Sequence, residues 1–402
     1  MTYPTGITLM TLLVAAVLVV GCGNDPSLPS TPVPAPVSVD TPAPAPNATL
    51  APTAAPDLAP TPAGPRPSIG GAATDRGEAQ STETAGQFDV SIWAPFAGFL
   101  EQQTLQANAA ALDEVNFFWY TLGADGGIEG DIQATQAVQV ARDAGLRIVP
   151  SIVNGGFDAQ RVSAVINNPT RRAQHIRDIL ALVHDNNFDG IDIDYESLNP
   201  DDRDNFSLFV EELAAALHAR GKLLSIAVHP KTSDPGTWNG PQAQDYARLG
   251  AAVDKFKIMT YDYHWSTSEA GPIAPLDWVD QVLAYAATVV PPEKTYLGVP
   301  FYGYDWTGST GEPLNWRQAT KLASQNNAEL QRDASSGEAW FTYGDGRHTV
   351  YFNDAETLRQ RLQAAFERHP ALAGVAIWAL GGEDPENWTI ISQADRKENE
   401  RR

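Results

Sequence analysis

From residue 88 to residue 390 the chain alternates short strand-like segments with amphipathic helical stretches, and this alternation constrains the fold more than any other feature. In the helical stretches, apolar residues recur three and four positions apart, which is typical of helices packed on a core. The eight strand candidates are Phe88–Trp93, Val115–Tyr120, Arg147–Val153, Gly190–Tyr195, Leu223–His229, Phe256–Tyr261, Tyr296–Tyr302 and Gly374–Leu380. Eight such units in about 300 residues predict an α/β fold, the (β/α)8 or TIM barrel.

The stretch between the seventh and eighth strand candidates is too long for one helix. Within it, Ala339–Tyr343 and His348–Phe352 flank a four-residue turn, which is the pattern of a β-hairpin. We therefore expect a small α+β insertion at about 307–370, between barrel strands 7 and 8. A doubly wound open sheet is the alternative fold, but no glycine-rich phosphate-binding turn follows any strand candidate. The clearest helix candidates are Ile132–Ala144, Arg171–His184 and Asp204–Arg220.

The start of the chain has the features of a secretory signal. Residues 7–20 form an uncharged apolar run that is too short to span a membrane. The run has the length of the apolar core of a signal peptide, but the Lys or Arg expected before such a core is absent. The run ends at Val19-Val20-Gly21-Cys22, which resembles a bacterial lipobox, so we expect cleavage after residue 21 and lipidation of Cys22. The alternative is a buried hydrophobic N-terminus with an inert cysteine.

A proline-rich segment follows the signal. Fifteen of the 30 prolines lie in the first 86 residues, in repeated Ala-Pro and Thr-Pro steps. Such sequence cannot bury a core and favours an extended tether; a docking site for a proline-binding partner is the alternative. The predicted organisation is a signal peptide (1–21), a disordered tether (22–86), a folded domain (87–393) and a polar tail (394–402).

The charge and the cysteine content exclude several classes of protein. With 27 basic and 49 acidic residues the formal net charge is −22, which argues against nucleic-acid binding because phosphates are repelled. The single cysteine rules out an intramolecular disulfide and a cysteine-cluster zinc site. His229 and His264 form no metal-binding pair and are interpreted as polar residues near strand ends. We expect no metal, no cofactor, a monomer, and membrane contact only through Cys22.

Three carboxylates stand at alternate positions of the fourth strand candidate. Because side chains alternate along a strand, Asp192, Asp194 and Glu196 point the same way, with Cα atoms about 6–7 Å apart, at the end of the strand where barrel active sites lie. Burying three like charges is costly unless some are protonated or hydrogen-bonded. Calcium binding, a structural cluster and acid catalysis are the three interpretations, and the cost of the cluster favours catalysis.

The same segment resembles a known family. Residues 189–196, Asp-Gly-Ile-Asp-Ile-Asp-Tyr-Glu, match the DGxDxDxE signature of family 18 glycoside hydrolases, the chitinase-like enzymes. Met259-Thr260-Tyr261-Asp262 resembles the family's MxYD motif, and Trp378 stands where the family keeps an aromatic floor for the sugar. Segments 261–265 and 378–384 are most similar to the branch of cell-wall and spore-cortex N-acetylglucosaminidases, although no LysM repeat is present.

The resemblance implies a retaining glycosidase that cleaves β-1,4 bonds of chitin oligomers, peptidoglycan or another N-acetylglucosamine-containing glycan. The signal and the lipobox place it outside the cytoplasm, as a lipid-anchored or secreted protein. The substrate's own acetamido oxygen would attack C1, with Glu196 as general acid and base, Asp194 orienting the acetamido N–H, and Asp192 sharing a proton with Asp194. The remaining implied site residues are Tyr261, which would donate to the acetamido carbonyl, Trp378 as the aromatic face, and Asp262, Met259 and Asp189 as substrate-binding residues.

Several of these residues also have structural interpretations. Asp189 fits a role in organising the strand end through backbone hydrogen bonds better than sugar contact, and Met259 fits core packing equally well. The same holds for Trp93, Tyr304 and Trp306 near the strand ends. A carbohydrate-binding protein on the same fold is the alternative function, which the presence of a glutamate at position 196 disfavours.

Replacing the predicted lipidation site tests the anchor directly. Because residues 87–402 are acidic and Cys22 is the one acylation site, Cys22→Ser is expected to move the protein from the membrane fraction to the soluble fraction. Fractionation followed by immunoblotting measures this. A variant that still sediments with membranes after a salt wash would contradict the lipobox interpretation.

Overall fold

The computed structural model describes residues 88–95 and 99–401, with the side chains of 88–95 and 101–395. The predicted signal, the tether and Cys22 lie outside the described residues. Within the described part, no helix is both long enough and apolar enough to cross a membrane. The last helix runs through most of the segment that the sequence suggested as a polar tail.

Eight parallel strands form the barrel, as predicted. In chain order, barrel strands 1 to 8 are Asp89–Ala94, Glu114–Phe117 with Tyr120–Leu122, Arg147–Ile148 with Ser151–Val153, Gly190–Asp194, Leu223–Val228, Lys255–Ile258, Thr295–Pro300 and Gly374–Trp378. Barrel strands 2 and 3 are each interrupted. The first half of strand 2 pairs with the first half of strand 3, and the second half of strand 2 pairs with the second half of strand 3. Because strand 8 also pairs with strand 1, the sheet closes on itself. The short strand Ile128–Gly130 adds antiparallel to strand 2.

Most of the helices pack around the outside of the barrel. They are Phe99–Asn108, Thr135–Asp143, Ala159–Ile166, Pro169–Asp185, Arg203–His218, Asn239–Gln242, Tyr246–Ala252, Leu276–Ala286, Trp316–Gln325, Ala355–Arg368 and Asn387–Arg401, with single 3-10 turns at Ala109–Ala111, Pro200–Asp202 and Pro292–Lys294. The three helix candidates from the sequence are all present, with ends shifted by a few residues. Such shifts arise because capping residues rather than periodicity fix helix ends.

The helix Pro169–Asp185 shows how local sequence positions the fourth strand. The Asn168 side chain accepts the free N–H groups of Thr170 and Arg171, and a proline occupies the first helical position, where its missing N–H costs nothing. The buried face includes Ile176, Ile179 and Val183, three and four residues apart. These apolar residues hold the helix against the barrel just before strand 4.

A second sheet of five antiparallel strands is inserted between barrel strands 7 and 8. Its spatial order is Thr310–Asn315, Tyr302–Thr307, His348–Phe352, Ala339–Tyr343 and Gln331–Arg332, and it includes the hairpin expected from the sequence. The helix Trp316–Gln325 packs on this sheet around a small core of its own. The sheet begins directly after strand 7, whereas the helix Ala355–Arg368 packs against other barrel helices.

A buried ion pair joins the insertion to the barrel. The Arg361 guanidinium lies 3.0 Å from the Glu338 carboxylate, and neither side chain is exposed. The Glu338 carboxylate also accepts hydrogen bonds from the backbone N–H groups of Ile273 and Ala274, in the loop after strand 6. Since a buried carboxylate is tolerated only when its oxygens are satisfied, this contact fixes the inserted sheet beside that loop.

Charged side chains fill much of the barrel interior, where such barrels ordinarily hold branched apolar residues. Lys255 on strand 6 contacts Asp89 and Glu114, each at 2.7 Å. Lys257, two residues further along the same strand, contacts Glu114 at 3.0 Å and Asp192 at 3.2 Å. We call these five residues the ion ladder. It runs from the amino end of strand 1 to the carboxylates at the other end of the barrel.

Candidate active site

Strand 4 presents Asp192, Asp194 and Glu196 at the mouth of the barrel, by which we mean the carboxyl ends of its strands. Asp192 is fully buried, Asp194 is 5% exposed, and Glu196 is 23% exposed through its side chain. The alternate residues Ile193 and Tyr195 are buried. The three carboxyl groups therefore differ in their access to solvent, and Glu196 is the one that an incoming molecule reaches.

Asp192 is held by four hydrogen bonds. One carboxylate oxygen accepts from the Trp93 indole N–H at 2.9 Å and from the Ser151 hydroxyl at 2.7 Å. The other accepts from Lys257 at 3.2 Å and from the Ser225 hydroxyl. Each oxygen thus has two partners, which hold the Asp192 side chain in one position. Two of these partners are serine hydroxyls, which can accept a hydrogen bond as well as donate one. The proton sharing between Asp192 and Asp194 that the family resemblance implies stays a prediction.

Asp194 has a very different environment. Among the described residues its Oδ1 atom is buried and has no hydrogen-bond partner. Burial and the neighbouring charge of Asp192 raise the pKa of Asp194 to about 8, although Lys257 acts in the opposite direction. Asp194 therefore keeps its proton to higher pH than an ordinary aspartate does, and its buried Oδ1 atom has unused capacity to accept a hydrogen bond.

Glu196 is held through its backbone. Its N–H donates to the Asn154 side-chain oxygen at 3.1 Å, and the Asn154 amide donates back to the Glu196 carbonyl at 2.8 Å. Burial, Asp194 and Asp262 raise the pKa of the Glu196 carboxyl well above its usual value, which is the state that a general acid requires.

His229 lies beside this carboxyl, with its Nε2 atom 3.7 Å from a Glu196 oxygen. The same nitrogen accepts the Ser197 N–H at 3.1 Å. Burial lowers the pKa of His229 to about 3, so the ring is neutral. His229 therefore supports the backbone after strand 4 without adding a positive charge. His264, by contrast, contacts the Glu269 carbonyl within its own loop.

Tyr261 and Asp262 follow strand 6 at the same mouth. Burial and the charges of Asp194 and Glu196 raise the pKa of Tyr261 well above its usual value, so its hydroxyl keeps its proton. Asp262 has a left-handed backbone (φ 57°) and accepts the Tyr302 and Tyr304 hydroxyls at 2.5 and 3.1 Å. Desolvation raises the pKa of Asp262 to about 6, against the effect of these two donors.

Aromatic residues form the floor of the mouth. Trp378, at the end of strand 8, is partly buried and makes edge-on contacts with Trp93 and Phe118, whose ring centroids lie 6.1 and 5.2 Å away. Met259 is partly buried and packs against the main core. Trp306 is almost fully buried and donates to the Trp265 carbonyl, so it supports the loop after strand 6 rather than facing the mouth.

Asp189 does not belong to this site. It precedes strand 4, at the end of the barrel opposite the mouth, and its carboxylate accepts the Ile148 N–H at 2.8 Å. The sequence signature placed it among the substrate-binding residues because signature spacing does not separate the two ends of a strand. The structure instead supports the backbone-organising role.

Sequence reasoning missed several residues that hold the carboxylates. Lys257, Ser151, Ser225 and Asn154 come from strands 3, 5 and 6 or the loops after them, and each contacts a residue of the strand 4 segment. One sequence pattern could have identified Lys257. Residues 255–258 alternate lysine with an apolar residue, and this alternation puts the charges at the interior positions of a barrel strand. Within the described residues, no group of His, Cys, Asp and Glu side chains is arranged to bind a metal ion.

A barrel with an acid-bearing strand 4 and an aromatic floor fits a glycosidase. The chain belongs to family 18 of the glycosyl hydrolases, whose sequence pattern matches residues 78–384. Enzymes of this family act on N-acetylglucosamine-containing glycans. YdhD of Bacillus subtilis, whose name describes a sporulation-specific glycosylase, is 31% identical over 303 residues, which are 72% of this chain and 71% of that protein.

Two further comparisons agree with this assignment. The cortical fragment-lytic enzyme of Bacillus subtilis is 31% identical over 258 residues, and the alignment covers 61% of this chain and 59% of that enzyme. The crystal structure of a chitinase from Chromobacterium violaceum superposes with a TM-score of 0.71 at 28% identity, over 76% of this chain and 98% of that one.

Asp194→Asn is expected to stabilise the folded protein increasingly as the pH rises. The pKa of Asp194 is about 8 in the folded protein and about 4 in the unfolded chain, so unfolding releases a proton between these values. The wild-type protein therefore loses stability from about pH 4 up to pH 8, at up to about 1.4 kcal/mol per pH unit, whereas asparagine does not titrate.

The measurement is the free energy of unfolding of both proteins by denaturant titration at pH 5, 6 and 7. The difference in favour of Asp194→Asn should grow by about 2.5 kcal/mol over this range. A difference that is independent of pH would show that Asp194 is already ionised in the folded protein.

Proposed function

We propose that this chain is a retaining glycosidase that cleaves β-1,4 bonds of N-acetylglucosamine-containing glycans by substrate-assisted catalysis. The observation that carries the proposal is the graded environment of the strand 4 carboxyl groups. Asp192 is saturated with donors, Asp194 has an unpartnered oxygen, and Glu196 reaches the mouth with a raised pKa. This arrangement supplies an accessible proton donor at Glu196, and it leaves the role of nucleophile to the substrate.

In this mechanism Glu196 gives its proton to the glycosidic oxygen while the acetamido oxygen attacks C1 and the C1–O bond breaks. The leaving sugar departs as an alcohol, and an oxazolinium ion remains. Asp194 accepts the acetamido N–H, and Tyr261 donates its hydroxyl to the acetamido oxygen, whose attack it orients. Glu196 then removes a proton from water as that water opens the ring at C1, which restores the acid. Asp194 also offsets the developing positive charge of the ion.

Aromatic side chains around the mouth support a polymeric substrate. Phe157, Trp238, Tyr263 and Trp265 follow strands 3, 5 and 6 and are 37 to 46% exposed. Large exposed rings present apolar faces that suit the apolar face of a sugar ring. Both chitin and peptidoglycan fit this description, and the named relatives include a chitinase and a cortical fragment-lytic enzyme. We infer a monomeric protein acting outside the cytoplasm, held at a membrane by a lipid on Cys22.

Glu196→Gln tests the assigned acid. The amide keeps the shape of the side chain and cannot transfer a proton, so turnover of N-acetylglucosamine oligomers should fall by at least ~10²-fold while binding persists. Reducing-sugar release and calorimetric titration measure the two effects. Glu367→Gln, on the exposed face of the helix Ala355–Arg368, is the matched control and should behave as wild type.

Two outcomes would contradict the proposal. Retained activity in Glu196→Gln would mean that another residue is the acid. Binding by the wild-type protein without turnover of any N-acetylglucosamine glycan would favour the carbohydrate-binding alternative.

The acetamido requirement tests the nucleophile. If the substrate supplies the attacking oxygen, a β-1,4-glucan and a fully deacetylated chitosan should not be cleaved, because neither contains an acetamido group. Attack by that oxygen and then by water inverts C1 twice, so the first product should be the β anomer. NMR of freshly released oligosaccharide decides this. An α anomer appearing first would require direct attack by water.

A further inference from the structure

His229 contacts the backbone beside the proposed acid from the loop after strand 5, and the proposed mechanism gives it no role. The regular pairing of strand 4 with its neighbours ends at Asp194, two residues before Glu196. The acid therefore lies beyond the hydrogen-bonded ladder of the sheet. Side chains from neighbouring loops hold its backbone, and His229 is one of them.

Three hydrogen bonds from two side chains hold the backbone at and directly after Glu196. Asn154 makes two of them, since it accepts the Glu196 N–H at 3.1 Å and donates to the Glu196 carbonyl at 2.8 Å. His229 makes the third, because its Nε2 atom accepts the Ser197 N–H at 3.1 Å. Ser197 has a left-handed backbone (φ 53°), which costs about 1–2 kcal/mol for a residue with a Cβ atom. The chain thus turns sharply after the acid, and the His229 bond holds this turn.

His229 is itself held from several sides. Its backbone N–H donates to the Gln244 side-chain oxygen at 2.8 Å, and its carbonyl accepts the Tyr246 hydroxyl at 2.5 Å. Its ring packs edge-on against Trp238, with centroids 4.5 Å apart. A Cβ atom at Gly240 would lie 2.5 Å from the Cδ2 atom of the ring, so that side of the imidazole is filled as well. Packing therefore holds the ring in one orientation.

The contact with Ser197 also fixes the form of the imidazole. Because Nε2 accepts an N–H, it carries no proton, and we assign the neutral tautomer with its proton on Nδ1. The same Nε2 atom is 3.7 Å from a Glu196 carboxyl oxygen, which is too far for a hydrogen bond. The carboxyl group therefore does not give its proton to the ring, and His229 acts on the acid through the backbone.

We propose that His229 is a positioning residue for the general acid: its Nε2 atom holds the Ser197 N–H and thereby fixes where the Glu196 carboxyl meets the glycosidic oxygen. This inference rests on the proposed function, because it requires Glu196 to be the acid. It assigns His229 no contact with the substrate and no proton transfer. A misplacement of about 1 Å in a reacting group can cost about 10²-fold in rate, so a small shift of this backbone is sufficient to slow proton transfer.

The dependence of the rate on the leaving group separates a displaced acid from general damage to the mouth. A sugar alcohol needs a proton in order to leave, whereas 2,4-dinitrophenolate is a stable anion and leaves without one. The constant kcat/KM reports the steps up to the departure of the leaving group. A displaced acid should therefore slow cleavage of an N-acetylglucosamine oligomer far more than cleavage of the 2,4-dinitrophenyl β-glycoside of the N-acetylglucosamine disaccharide. General distortion would slow both reactions in equal proportion.

Three variants of His229 differ in whether a hydrogen-bond acceptor reaches Ser197. His229→Phe keeps a planar ring and has no acceptor. His229→Gln has an amide that extends about as far as Nε2, whereas the amide of His229→Asn is one methylene shorter. We expect only the glutamine variant to keep the bond. The asparagine variant covers the case in which the phenylalanine variant does not fold, because it is smaller and adds no apolar surface.

His175 provides a matched control beside the same strand. It is buried, and its Nε2 atom lies 2.7 Å from the hydroxyl of Tyr195, the residue before the acid. Burial lowers the pKa of His175 to about 4, so this ring is neutral too. It differs from His229 in that it contacts a side chain from the helix Pro169–Asp185 and makes no contact with the backbone of Glu196 or Ser197. His175→Phe should lower the unfolding temperature without changing the ratio of the two kcat/KM values.

The experiment measures kcat and KM of the full chain for both substrates, together with the unfolding temperature of each variant. His229→Phe and His229→Asn should lower kcat/KM about tenfold or more for the oligomer and less than about threefold for the dinitrophenyl glycoside. The loss for the oligomer should lie in kcat, with KM little changed, because the contacts with the substrate remain. His229→Gln should stay within about threefold of wild type for both substrates.

The inference is overturned if a folded His229→Phe or His229→Asn variant cleaves the oligomer as wild type does, or loses both substrates in equal proportion. The same holds if His229→Gln shows the selective loss, since the acceptor would then not matter, or if His175→Phe changes the ratio as far. Failure of the proposed function looks different and is seen first. In that case the wild-type protein cleaves neither substrate, or Glu196→Gln shows no selective loss for the oligomer.

Discussion

The pairing of charges inside the barrel is the constraint on which the rest of the site depends. A carboxylate in a low-dielectric interior is tolerated only with donors already in place, and the ion ladder supplies them along the whole barrel. At the end of the ladder nearest the mouth, Lys257, Trp93 and two serines hold the Asp192 side chain through four hydrogen bonds. Burial and the charge of Asp192 raise the pKa of Asp194, which keeps a proton close to the mouth.

The three carboxyl groups of strand 4 show how environment divides similar residues into different roles. Donors surround Asp192, Asp194 has a buried oxygen with no partner among the described residues, and Glu196 is the most exposed of the three and has a raised pKa. Their spacing along one strand makes the roles depend on depth below the mouth. A change at any one of them alters the charge seen by the other two, so their effects on rate should not be additive.

The inserted sheet completes the mouth from one side. Its first strand carries Tyr302 and Tyr304, whose hydroxyls hold Asp262 in the loop after strand 6. The Arg361–Glu338 pair fixes the same loop, because the Glu338 carboxylate accepts hydrogen bonds from the backbone of Ile273 and Ala274. Residues far apart in the chain thus set the position of one carboxylate, because each buried polar group requires a partner.

The sequence alone determined the barrel, the hairpin of the insertion and the strand that carries the acids, because periodicity and residue spacing are local properties. The side of strand 4 that carries the acids also followed, since side chains alternate. Tertiary structure decided the rest. It placed Asp189 at the opposite end of the barrel and surrounded Asp192 with donors from strands 1, 3, 5 and 6. Protonation depends on neighbours in space, and spacing along one strand does not specify those neighbours.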